Sequence, residues 1–161
     1  YNFLTAWLAI TDVTEKNGCM RMWPGSHKDN LKIHKDTYDQ NNLLTRGQTV
    51  ENVPFNETKP LLLKAGQLSL HHPKTVHSSG PNLSKKRRIG FAIQSYIATN
   101  VKQKIGKVFV QLARGKDFFK YHEHTTRPKE RMNKKDILMR DRANKELQKI
   151  LYKDASKIGK Y

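Results

Sequence analysis

Along the first hundred residues, apolar positions come in short runs separated by polar, turn-forming stretches. NFLTAWLAI (2–10) reads as a buried strand, ended by the polar TDVTEKNG. Asn17-Gly18 is a strong turn signal, and CMRMW then alternates as a second strand. Pro24-Gly25-Ser26-His27 makes another sharp turn. The segment from 28 to 60 is polar and irregular, and loops of that length in compact domains are functional or covering elements. PLLLKAGQLSLHH resumes strand character, with Ala65-Gly66 as punctuation. RIGFAIQSYI (88–97) is a further strand, and GKVFVQLARG reads as one more strand or a short helix. From Asn133 the period changes: Met139, Ala143, Leu147, Ile150 and Leu151 fall on one helical stripe. Asn133 followed by Asp136 has the form of an N-cap with an acidic third residue. The pattern predicts a mainly β sandwich or barrel with a C-terminal helix.

Composition narrows the partners. A chain of 161 residues with 36% hydrophobic content suits one domain of ordinary size. The net charge of +17 invites a nucleic-acid reading. The lysines, however, run from Lys16 to Lys160 interspersed with Asp and Glu, and no RNP, zinc-finger or helix-turn-helix pattern accompanies them. A generally basic surface is expected, with no nucleic-acid partner. Cys19 is the single cysteine, which rules out an intrachain disulfide and a CxxC knuckle, so a cytoplasmic location is expected. No apolar run of about 18 residues appears, and no membrane partner is expected. The chain opens directly in a strand-type pattern without Met, so it is expected to be a fragment, with any upstream targeting signal undecided. The oligomeric state is not legible.

The chemistry concentrates between Leu70 and Phe91, in LHHPKTVHSSGPNLSKKRRIGF. If His77 ends one strand and Arg88 begins its antiparallel neighbour, both groups point into one cavity from one end of a hairpin. On the second strand Arg88, Gly90, Ala92 and Gln94 would share a face, the small residues leaving room for a ligand. An arginine fork binds a carboxylate bidentately, and a neutral imidazole nearby holds a divalent metal. On spacing alone the alternative stands: Lys85 to Arg88 as a solvated loop and His77 as a turn residue.

These residues also carry a resemblance. TAWLAITDVTEKNGCMRMWPGSHK, the NNLLTRGQ segment, AGQLSLHHPKTVHSSGPNLSKKRRIGFAIQSYI and the LARGKDFF…RP run resemble the phytanoyl-CoA dioxygenase family of non-haem Fe(II)- and 2-oxoglutarate-dependent oxygenases, over most of residues 3–128. The resemblance implies a double-stranded β-helix (a jelly-roll, cupin-like fold), incomplete at its N-terminus. Residues 1–128 would form the distal part of that core, with 28–60 as a covering loop and 129–161 as a basic helical extension. It implies that His77 is an iron ligand, that Arg88 binds the far carboxylate of 2-oxoglutarate, that Ser79 contacts this cosubstrate and that Trp7 lines its pocket. Fe(II), 2-oxoglutarate and dioxygen are the implied cofactors and cosubstrates, and C–H hydroxylation of a small organic substrate the implied reaction.

The HxD pair of the family falls upstream of Tyr1. Its last residue decides between hydroxylation and the related halogenation, so that alternative stays open, as does a non-catalytic jelly-roll binding module. The 161 residues by themselves are expected to be inactive. The HxD of His34-Lys35-Asp36 sits in the polar excursion, where no rigid strand would hold a ligand pair, and is not assigned to metal. His71 and His72 lie on the strand leading to His77, and at most one faces the barrel. His27 is expected to make a backbone hydrogen bond, and His122 and His124 to form an incidental exposed pair.

Overall fold

The computed structural model describes residues 2–40, 42 and 46–158, and the chain divides into two compact units, residues 1–97 and 98–161. Among its described residues the first unit holds six strands: β1 (Phe3–Ala9), β2 (Met20–Met22), β3 (Lys59–Pro60), β4 (Leu68–His71), β5 (His77–Ser79) and β6 (Gly90–Ile97). They form two three-stranded antiparallel sheets of order β4-β1-β6 and β3-β2-β5. The chain therefore passes back and forth between the sheets, with β2 and β3 consecutive in one of them, and the strands at 77–79 and 90–97 are not a hairpin. His77 opens β5 and pairs with Met22, while β6 pairs with β1 in the other sheet. Residues 80–89 cross between sheets, and a crossing of that length leaves no turn signal to distinguish it from a long hairpin loop.

Register explains which side chains share a face. Across β1, Trp7 stands opposite Ser69 on one side and Ala92 on the other, and Thr5 stands opposite His71. Directly opposed residues in an antiparallel pair lie on the same face, so Thr5, Trp7, Ala9, Ser69, His71, Gly90 and Ala92 line one surface. The reverse surface carries Leu4, Ala6, Leu8, Leu68, Leu70, Phe91 and Ile93. The expected alternation along β6 holds only to Ile93. Between Ile93↔Ala6 and Tyr96↔Leu4 two residues of β6 face one of β1, a bulge with Ser95 at φ 71° that takes Gln94 out of the pattern.

A tight turn joins β1 to β2. Asn17 accepts the Thr14 N–H (2.8 Å) and donates to the Asp12 carbonyl (2.8 Å). Gly18, at φ 78°, comes so close to the loop after β5 that a Cβ there would stand 2.7 Å from the Gly80 carbonyl oxygen. The Leu83 N–H completes the seam on the Lys16 carbonyl. The NGC turn thus holds down the SGPN segment that follows His77. The enclosed core beside it is small, with Ala9, Val13 and Cys19 packed by Trp7 and Leu63.

The excursion between β2 and β3 includes two 3-10 turns, Ser26–Lys28 and Phe55–Glu57. Asp36 is its hub: Arg46 chelates the carboxylate (Nε at 3.1 and 2.9 Å), and Gln48 and Tyr38 donate to it (3.0 Å each).

The second unit contains a short parallel pair, β7 (Phe109–Val110) with β8 (Glu123–His124), and helix α1 (Lys134–Leu151). The segment around Phe109 is thus a strand. Asn133 caps α1, accepting the Lys135 N–H at 2.9 Å. Met139, Ala143 and Ile150 are half-buried, with Ile150 against Gly106. Leu147 and Leu151, expected on the same packed stripe, are instead exposed.

Candidate functional site

The four residues singled out in the sequence divide between the two sheets and come together on one side. Trp7 sits mid-strand in β1, Arg88 lies two residues before β6, and His77 and Ser79 occupy alternate positions of β5, hence one face of it. Arg88 Nη2 donates to Ser79 Oγ at 3.5 Å, and the guanidinium carbon stands 5.9 Å from the Trp7 ring centroid. His77 joins from the other end of β5, its ring 5.4 Å from that of His71 in an edge-on arrangement. Contacts between side chains of different sheets therefore set the site, and no single hairpin builds it.

Each group is oriented by something behind it. The Thr75 carbonyl lies 2.8 Å from His77 Nδ1. A carbonyl only accepts, so Nδ1 carries the proton and Nε2 presents its lone pair, the form in which imidazole binds a divalent metal. Among the described residues no three His, Cys, Asp or Glu side chains converge. Trp7 is set by Gly90: the edge of its indole fills the space where a side chain at 90 would start. The room expected beside Gly90 is thus taken by Trp7, and what remains open is the flank of the indole toward Arg88.

His71 is buried on the same face as Trp7 and is hydrogen-bonded through Nδ1 to Ser69 Oγ (3.1 Å). Burial, reinforced by the charge His77 can carry, lowers its pKa below the ordinary value. His72 lies past the end of β4, accepts the Lys74 N–H on Nδ1 and faces the His27 ring at 5.5 Å. Of the two adjacent histidines, only His71 thus contacts the His77 ring.

The other histidines have partners of their own. His34 Nδ1 bonds to the Lys32 carbonyl, and Asp36 is committed to Arg46, Gln48 and Tyr38. In the second unit His122 bonds to the Val101 carbonyl (2.7 Å), while His124 donates to Asp117 (2.7 Å). Sequence reasoning missed the Thr75 carbonyl, the Ser69 partner of His71 and the Asp117–His124 pair. The first is a backbone group without a sequence signature. The alternation Ser69-Leu70-His71 was the available signal for the second.

The family model described as phytanoyl-CoA dioxygenase (PhyH) matches residues 1–90. A probable alpha-ketoglutarate-dependent hypophosphite dioxygenase of Stutzerimonas stutzeri is 36% identical over 97 residues, which is 56% of this chain and 34% of that protein. Among solved structures, the apo form of the non-heme monooxygenase ThoJ superposes with a TM-score of 0.79 at 30% identity, covering 92% of this chain and 52% of that one. EvdO2 of Micromonospora carbonacea var. aurantiaca, complexed with 2-oxoglutarate, superposes with a TM-score of 0.51 at 25% identity over 56% of this chain and 36% of its own. The chain thus spans about a third of the curated relative and about half of the ThoJ structure. No described helix is long and apolar enough to cross a membrane.

Proposed function

This chain belongs to the phytanoyl-CoA dioxygenase family, and on that premise we propose that it forms the cosubstrate-binding part of an Fe(II)- and 2-oxoglutarate-dependent dioxygenase that hydroxylates a C–H bond of a small organic substrate. The observation that carries the reading is the meeting of Arg88 with Ser79 and Trp7 on the face that also holds His77. The repeated crossing of the chain between two antiparallel sheets supports a double-stranded β-helix as the frame.

In this reading His77 Nε2 is one iron ligand, held by the Thr75 carbonyl. Iron bound there would supply the redox chemistry that couples oxidative decarboxylation of 2-oxoglutarate by dioxygen to substrate hydroxylation. The chain's own part is positioning. The Arg88 fork takes the far carboxylate of 2-oxoglutarate, a planar bidentate pairing that a lysine cannot reproduce. Ser79 Oγ, already within reach of Arg88, supplies a hydroxyl to the same carboxylate. Trp7 walls the site with an apolar surface that keeps water from the ion pair, and Lys85, Lys86 and Arg87 next to Arg88 draw an anion toward it.

The test is succinate formation by the protein with Fe(II), dioxygen and 2-oxoglutarate. His77→Ala is expected to abolish turnover. Arg88→Ala should raise the 2-oxoglutarate requirement by about 10- to 100-fold, the loss of a charge-assisted pair worth roughly 1.5–3 kcal/mol. A protein that neither binds nor consumes 2-oxoglutarate would refute the proposal.

A further inference from the structure

Against the strand that carries His77 lies a cavity of about 370 Å³, bordered by residues of β2, β5 and the excursion. Arg21 and Ser78 are cross-strand partners, as are Met22 and His77. Neighbours along a strand face opposite ways, so Arg21 and Ser78 stand on the reverse surface from the His77 ring. Both line this cavity, and His77 borders it as well, whereas Arg88 does not.

The charge of the wall is one-sided. Arg21, Lys32 and Lys74 line it, with His34 beside them, and no Asp or Glu does. Arg21 is built in: its Nε donates to Thr58 Oγ1 (2.9 Å), its Nη2 to the Thr58 carbonyl (3.0 Å), and the Phe55 ring lies 4.5 Å from its guanidinium carbon. Its nearest acid, Glu15, stands 3.7 Å away and is exposed. Lys32 pairs with the Asp29 carboxylate at 2.7 Å, and Lys74 donates to the carbonyl of the same residue. Asp29, which is not part of the wall, thus engages both lysines, Lys32 through its carboxylate and Lys74 through its backbone carbonyl. Apart from these heads, the lining includes Leu31, Val50, Val53, Phe55 and Val76.

We propose that this cavity is a second anion site, distinct from Arg88, for a small molecule with one phosphate or carboxylate group on an apolar body. The anionic group meets Lys32 and Lys74, with Arg21 adding to the positive field, and the body packs on Val50, Val53 and Phe55. The volume is at the small end of ligand cavities, which span roughly 300–1,000 Å³, so a single ring with its charged group fits and a long chain does not.

Ligand-detected NMR and calorimetry on this chain test the proposal, with phenyl phosphate and benzoate as separate probes and benzyl alcohol as the neutral control. At least one anion is expected to bind saturably, with benzyl alcohol at least about tenfold weaker. Which anion binds tighter distinguishes a phosphate from a carboxylate ligand. The K32A/K74A variant should lose about tenfold in affinity, whereas K32R/K74R retains it and shows that folding is intact. Saturating 2-oxoglutarate and Arg88→Ala should both leave binding unchanged. Displacement by 2-oxoglutarate, equal binding of benzyl alcohol, affinity indifferent to K32A/K74A, or no saturable binding would each overturn it.

Discussion

The indole of Trp7 occupies the space that any side chain at Gly90 would need. The two residues lie on adjacent strands with Ala92 and Ala9 as their respective partners, so neither can move without shifting the β1–β6 ladder. Gly90→Ala should therefore destabilise the first unit by ~1–3 kcal/mol through overpacking and displace Trp7 from Arg88. Urea unfolding and tryptophan emission would report both. In the double variant with Trp7→Ala the cost of the added methyl should largely vanish, because the clash has lost its partner. Additive costs would mean that Gly90 is needed for some other reason.

Asn133 closes the first turn of α1 through the Lys135 N–H. Asn133→Ala is expected to cost about 1 kcal/mol and Asn133→Asp almost nothing, since aspartate caps equally well. Thermal melts followed by helical circular dichroism would separate the two. Equal losses from both substitutions would show that the amide makes a second contact that matters more.

Asp117 shows how acid should unfold the second unit. Its carboxylate lies below its ordinary pKa because His124 donates to it, then because the Lys120 N–H does, with burial opposing and the Phe119 N–H assisting. A carboxyl whose folded pKa is depressed stabilises the fold above its unfolded value of 3.8 and loses that contribution as pH falls through the folded value. Stability should fall below about pH 4 and level off at still lower pH, and Asp117→Asn should flatten that limb. An unchanged acid limb in the variant would assign it to other carboxylates.

The reverse face of the β4-β1-β6 sheet should bind a hydrophobic dye. Leu68, Leu70, Phe91 and Ile93 are all exposed there, 46–61% of each surface open, around the Leu4–Leu8 stripe. Contiguous apolar patches of this kind are association-prone. Phe91→Lys should reduce dye fluorescence and light scattering while leaving the Trp7 emission in place. A wild-type chain that gives no dye signal would show the face to be covered in solution.

The sequence made some of this legible and hid the rest for physical reasons. Strand runs such as FLTAWLA and GFAIQSYI announce themselves through β-branched and aromatic residues, and α1 through its cap and changed period. The site residues stood out because His77, Ser79 and Arg88 lie in one compact stretch. What periodicity does not encode is which strand pairs with which. The segment from His77 to Arg88 reads as a hairpin because its ends are near in sequence, yet Gly18 packed on Gly80 pulls β5 onto β2 while β6 goes to β1. The same limit applies to Gly90. A glycine in a strand signals a close approach without naming what approaches. Leu147 and Leu151 failed differently: the helix stripe is real, but only Met139, Ala143 and Ile150 lie against structure.

The pairing of Phe3 with Ile97 has a consequence for how the chain acquires its shape. β1 is the centre of its sheet and must wait for β4 and then for β6, both made later. Entropy opposes closing a loop of nearly the whole unit before any contact rewards it, so assembly should be slow, on the order of milliseconds to seconds, as in domains dominated by non-local pairing. During synthesis the apolar β1 emerges long before its partners. Its yield in a cell should depend on holding that strand apart from other chains until Gly90 reaches Trp7.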